Sequence, residues 1–130
     1  MSVGMSEAVA NAILDAFFRS ITWSEPAEIW IKLHNSDPGS AGLNGAASET
    51  TRKQASFTPA SFGYTETNTD LDWINVAATE TYTHWSGWTA SSGGTFVVSD
   101  QFGSPINVNS GQDFSILAGD IAFELVNIAS

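Results

Sequence analysis

Ile29-Trp30-Ile31-Lys32-Leu33-His34-Asn35-Ser36-Asp37-Pro38-Gly39 is the stretch on which the fold turns. Ile29, Ile31 and Leu33 alternate with Trp30, Lys32 and His34, the period of two that sends successive side chains to opposite faces of a strand. Asp37-Pro38-Gly39 then supplies a turn. The Asp carboxylate can accept from backbone ahead of it, Pro fixes φ, and Gly tolerates φ values closed to other residues.

Outward from this stretch the chain reads as β. Candidate strands are Glu28–His34, Thr51–Phe57, Gly63–Glu66, Asp72–Ala77, Glu80–Thr89, Thr95–Ser99, Ile106–Val108, Asp113–Leu117 and Ile121–Asn127. Gly93-Gly94, Gly103-Ser104-Pro105, Ser110-Gly111 and Gly119-Asp120 punctuate them. Many short strands with such turns predict a mainly β domain, a β-sandwich of which a jelly-roll is one form. Residues 35–51, rich in Gly, Ser, Ala and Asn, form the longest stretch without strand character, the kind of loop that serves as a contact arm.

Before Pro26 lies one N-terminal helix, residues 6–19. Ser6 is its expected cap and Glu7 suits the positive end of its dipole. Val9, Ala12, Ile13, Ala16 and Phe17 recur at helical spacing, and Phe18 widens that stripe. Such a helix either packs on its own sheet or docks on a neighbouring subunit. The whole of 1–130 reads as a single domain, with the β-sandwich over 28–127.

The charged fraction is 14%, against roughly 25% in ordinary soluble domains, and the net charge is −10. All four cations, Arg19, Lys32, Arg52 and Lys53, precede Gln54, and eight acids follow it. Phosphate and anionic lipid need clustered cations, so neither nucleic acid nor a membrane surface is an expected partner. There is no cysteine, hence no disulfide or thiolate metal site, and neither a secretory signal pattern nor a long apolar run occurs.

Chemistry is sparse. His34 and His84 are the only histidines, and no Gly-x-Ser-x-Gly elbow accompanies them, so no nucleophilic triad is expected. Asp70 and Asp72 are the closest carboxylate pair suited to glycoside hydrolysis, but fourteen acids in this chain make close pairs commonplace. Asn35-Ser36-Asp37 and Asp70-Leu71-Asp72 offer oxygens without an EF-hand continuation. No catalytic residue, metal site or cofactor is therefore expected. Five tryptophans stand out. Trp85 and Trp88, three apart on one strand, should face opposite sides, one entering the core and the other meeting a ligand, a partner or solvent.

Four motifs, in order, resemble a family of small tailed-bacteriophage virion proteins. They are Ile29–His34 with Asp37-Pro38-Gly39; Glu49–Phe57, an acid then Arg52-Lys53 then Phe; Thr83–Ala90 closed by Gly93-Gly94-Thr95-Phe96; and Val108–Phe114 followed by Ala118-Gly119. The likeness runs from Ile29 to Val126. It departs at Trp85-Ser86 and Thr89, where small apolar residues and an acid are usual. Members are labelled minor capsid, tail-fibre-like or minor tail proteins. The resemblance implies a non-enzymatic virion part, assembled in the host cytoplasm. Its expected role is capsid decoration or minor capsid, binding the major capsid protein as a homo-oligomer such as a trimer. A tail or tail-fibre component bound to tail proteins is the alternative within the class, and a carbohydrate-binding module the alternative outside it. The expected interface residues are Val9, Ile13, Phe17, Phe18, Trp85 and Trp88.

Overall fold

In the computed structural model, which describes residues 3–126 and 129, the elements follow one another as β1 (Gly4–Met5), α1 (Glu7–Arg19), β2 (Ile29–His34), β3 (Lys53–Ala55), β4 (Tyr64–Glu66), β5 (Leu71–Trp73), β6 (Glu80–Trp88), β7 (Phe96–Val108), β8 (Phe114–Ile116) and β9 (Ala122–Glu124). Every pairing is antiparallel. The main sheet has the order β1-β7-β6-β2-β3, and β4-β9 and β5-β8 are two-stranded ribbons.

The ribbons form a second layer over one face of the main sheet. Phe123 of β9 packs against Phe57 and Trp85, with ring centroids 5.8 and 6.1 Å apart. Phe114 of β8 meets Trp73 at 5.7 Å and Tyr82 at 5.1 Å. Ile31 and Leu33 complete this core from β2, so the period-two reading of that strand places the right residues inside. The result is the expected sandwich-like, mainly β domain with one helix near its N-terminus.

The other face of the sheet carries Trp30, Lys32, His34, Ser86 and Trp88, and residues 35–51 fold down over it. Asn35 N–H donates to the Gly45 carbonyl (2.8 Å), Ala47 N–H to the Leu33 carbonyl (3.1 Å), and Gly39 N–H to the Asp37 carboxylate (2.8 Å). Glu49 is buried and accepts from the backbone N–H groups of Ala77 and Thr51. Glu80 in turn accepts from those of Ser48 and Glu49. A loop this polar stays put because its backbone groups find partners in its own domain.

Several expected boundaries change. Thr51–Phe57 shortens to Lys53–Ala55, and Ile121–Asn127 yields Ala122–Glu124 among the described residues. The separate strands Thr95–Ser99 and Ile106–Val108 are one strand, β7, paired with β6 on both sides of an irregularity. Tyr82 faces Ile106 while His84 faces Gln101, so Thr83 alone stands opposite Phe102-Gly103-Ser104-Pro105. The turn chemistry was real, but it builds a bulge, one of the few places a sheet accepts Pro. The strand expected over Asp72–Ala77 ends at Trp73, since Asn75 takes a left-handed φ of 58° and bonds the Asp113 carboxylate through its N–H. Of the last expected strand, Asn127 lies outside the described residues.

Candidate functional site

The helix forms as its sequence dictates. Ser6 Oγ accepts from the Val9 N–H (3.2 Å), Glu7 sits in the first turn, and Ser20 closes the C-terminus in the left-handed conformation. Val9 is the one α1 residue buried in the core. Beyond it the helix carries an uncovered apolar face. Ile13 is 38%, Leu14 54%, Phe17 80% and Phe18 74% exposed, three and four residues apart as on one side of a helix, and Ile21, 48% exposed, follows just past the left-handed cap at Ser20. Phe17 and Phe18 lie edge-on, 5.0 Å apart. Val9 packs on the chain's own core, one of the two roles open to the helix from the sequence, while this outer apolar side stays uncovered.

Near the base of the helix, but touched by none of its residues, the surface holds an apolar hollow of about 310 Å³ among Met5, Ile29, Phe57, Val97, Val98 and Phe123. A second hollow of about 350 Å³ shares Met5, Thr65 and Phe123 and continues to Ala60, Tyr64, Glu124 and Leu125. Together they form one groove beside the β4-β9 ribbon. No periodicity in the sequence announces it, because its walls come from six separate segments.

Trp85 and Trp88 do face opposite sides of β6: Trp85 pairs with Leu33 on the core face and Trp88 with Trp30 on the other. Neither meets solvent. Trp88, expected as one candidate for the outward-facing ring, is only 5% exposed, stacked beside Phe96 at 5.6 Å and capped by the Arg52 guanidinium 4.5 Å above its ring. Arg52 is itself held by the carbonyls of Ala90 and Gly93, both at 2.8 Å. The aromatic that sequence spacing sends outward is thus covered by a cation and a loop from elsewhere in the chain.

Beneath that cover runs a closed hydrogen-bond chain. Trp88 Nε1–H donates to Ser86 Oγ (2.7 Å), and Ser86 and His34 Nε2 lie 2.7 Å apart. His34 Nδ1 is 2.8 Å from the Asn44 carbonyl, which can only accept, so Nδ1 carries the proton and the Ser86 hydroxyl donates to Nε2. Burial pushes the His34 pKa below its usual value, against the opposing pull of the Asn44 carbonyl. The Ser–His contact resembles half of a nucleophilic dyad, yet both residues are fully buried and the far nitrogen faces a carbonyl instead of a carboxylate. The His84 side chain meets its neighbour, with Thr83 Oγ1 2.7 Å from Nδ1.

The β7 bulge walls a third hollow, about 430 Å³, with Trp85 and Phe102 at its apolar side and Asp100, Gln101, Ser104 and Asp120 supplying polar groups. The carboxylates expected as a pair are used otherwise. Asp70 accepts from the Ala118 N–H (2.8 Å) and Asp72 from the Ser115 hydroxyl (2.6 Å), each tying β5 to the β8 region. Among the described residues no three His, Asp or Glu converge as a metal site would require, and no helix is long and apolar enough to cross a membrane.

A β-sandwich-like domain that keeps its polar groups to itself and leaves one helix uncovered sits among the virion proteins of tailed bacteriophages, and localises to the virion. The chain belongs to the family of the Podophage GP4 fiber I protein gp80, whose model matches residues 4–124. No curated protein matches it. The resemblance first visible in the four β motifs is thereby confirmed at family level, and it extends back to include β1 and α1. The chain is a phage protein of the fibre or tail type that associates with other virion proteins.

Proposed function

We propose that this chain is a non-catalytic tail-fibre component that assembles as a homo-oligomer through α1. The uncovered Leu14-Phe17-Phe18 face carries the proposal. Burying an exposed Phe is worth about 1.5–3 kcal/mol, so a helix presenting two of them gains most by meeting another chain. The family description supports a fibre role over the capsid decoration expected from the sequence. A non-catalytic role is supported by the burial of the Ser86–His34 pair, which no substrate reaches. The experiment is complementation of a phage lacking the protein with the Phe17→Ser/Phe18→Ser variant. The variant should fold and yet be missing from purified particles. Incorporation at the wild-type level would overturn the proposal.

A second reading is favoured by the hollow at the β7 bulge. An apolar ring flanked by carboxylates and an amide is the chemistry that recognises a saccharide, with the Phe102 ring packing against C–H groups and Asp120 and Gln101 bonding hydroxyls. Binding on a saccharide array that disappears with Asp120→Ala would support it, and a silent array would remove it.

A further inference from the structure

The apolar face of α1 and the apolar groove beside β4-β9 are both uncovered in one chain, and the chain cannot bring them together itself. Met5 lines the groove, and the helix begins two residues later at Glu7. At about 1.5 Å per residue, Phe17 and Phe18 lie roughly 15–17 Å along the axis from that start. No residue of α1 lines either hollow.

We propose that α1 of one copy docks its Leu14-Phe17-Phe18 face in the Met5-Phe57-Phe123 groove of a second copy. The proposal rests on the homo-oligomer reading above and names the surfaces that meet. The contact is helix-in-groove, with Leu14, Phe17 and Phe18 at i, i+3 and i+4 as anchors.

Two observations select a second copy as the occupant. Chemistry matches: the exposed wall of the first hollow is wholly apolar, as is the helix face. Charge matches as well. Arg19 projects beside Phe18 at the far end of the helix, and Glu124 lines the second hollow with Glu66 nearby, bonded to the Tyr64 hydroxyl at 2.7 Å. Neither Glu66 nor Glu124 has an ion-pair partner among the described residues, and no cation occurs after Lys53. The incoming Arg19 exchanges an exposed bond to Asp15, at 3.1 Å, for these two carboxylates.

Helix and groove are different surfaces, so copies either exchange helices about a twofold axis or pass them head to tail. The head-to-tail contact repeats around a ring if the rotation closes, and each subunit then makes two such contacts.

The absence of cysteine makes the test direct. Phe18→Cys and Ala60→Cys proteins are purified separately, mixed and oxidised. Phe18→Cys mixed with Ser110→Cys, at the opposite end of β7 from Val97, is the control. A covalent heterodimer at least tenfold more abundant than in the control is expected. Tyr64→Cys, on the same hollow, should cross-link equally well, which guards against a defect peculiar to one acceptor position. An oligomer whose Phe18→Cys copy bonds neither Ala60→Cys nor Tyr64→Cys above the control overturns the docking and leaves the homo-oligomer reading standing. A wild-type protein that stays monomeric at every concentration overturns both.

Discussion

Residues 35–51 and the helix α1 are the two segments that lie outside the regular sheets and look able to reach a neighbour, and they have opposite fates. The loop is polar. Its backbone N–H and C=O groups demand partners, and β2, Glu49, Glu80 and His34 supply them, so it closes over the sheet. The helix satisfies its backbone internally and is left with an apolar stripe that nothing in the domain covers. Hydrogen-bonding need holds a segment at home, whereas unspent apolar surface makes it available to another chain.

Substitutions in the two segments should therefore act on different quantities. The largest loss of stability is expected in the loop at Gly45. Its φ is +59°, and a Cβ there would meet Ser36 Oγ and, at 2.9 Å, the Ser36 carbonyl oxygen. Gly45→Ala should cost about 2–4 kcal/mol in chemical denaturation, combining left-handed backbone strain with a clash against main chain. Next comes Ser86→Ala, which strands Trp88 Nε1–H and His34 Nε2 in a buried site and should cost roughly 1–3 kcal/mol. Neither change should alter how the folded chains associate.

Tyr82→Phe should act in the reverse direction. The Tyr82 hydroxyl is buried and has no hydrogen-bond partner among the described residues, so its removal should stabilise the fold by about 1 kcal/mol. Burial, with Glu80 and Glu49 adding to it, pushes the Tyr82 pKa up to about 12. The wild type should consequently lose stability as pH rises from about 10 towards 12, where the unfolded chain ionises first, and the Phe variant should not share that component.

The smallest effect is the pH dependence carried by His34. Its pKa is lowered in the fold, chiefly by burial. Above the ordinary value of 6.5 both states are neutral and the residue is silent. As pH falls below that value the unfolded chain takes up a proton first, so stability declines until the folded imidazole is also protonated. Denaturation curves of wild type and His34→Gln should diverge in slope across this window. Parallel curves would detach the loop from the His34–Asn44 bond.

Much of the covered half could be read from residue order. The alternation in Ile29–His34 named the core face, Asp37-Pro38-Gly39 named the turn, and the spacing of Trp85 and Trp88 named their opposite sides. The burial of Trp88 could not be read, because Arg52 caps its ring from a distant position and the Phe96 ring beside it sits tight against Gly42. Gly103-Ser104-Pro105 misled for a physical reason: a turn and a bulge need the same residues, and only the pairing of β6 with β7 on both sides, Tyr82 with Ile106 and His84 with Gln101, distinguishes them. The two-residue β1 is too short to leave a period. For the helix, an apolar stripe shows that something will be covered without saying by what; the structure shows that the chain's own core takes Val9 and leaves the outer apolar side uncovered.

The mass of the protein in sedimentation equilibrium, wild type beside Phe17→Ser/Phe18→Ser, tests the contrast between loop and helix most directly. The wild type should form an oligomer that the double change weakens by at least about a hundredfold, from roughly 3–5 kcal/mol of lost apolar burial. The stability of the isolated domain should meanwhile stay within about 0.5 kcal/mol, as for other exposed positions. A double variant that associates as the wild type does, or that unfolds because its helix was needed at home, would contradict the account.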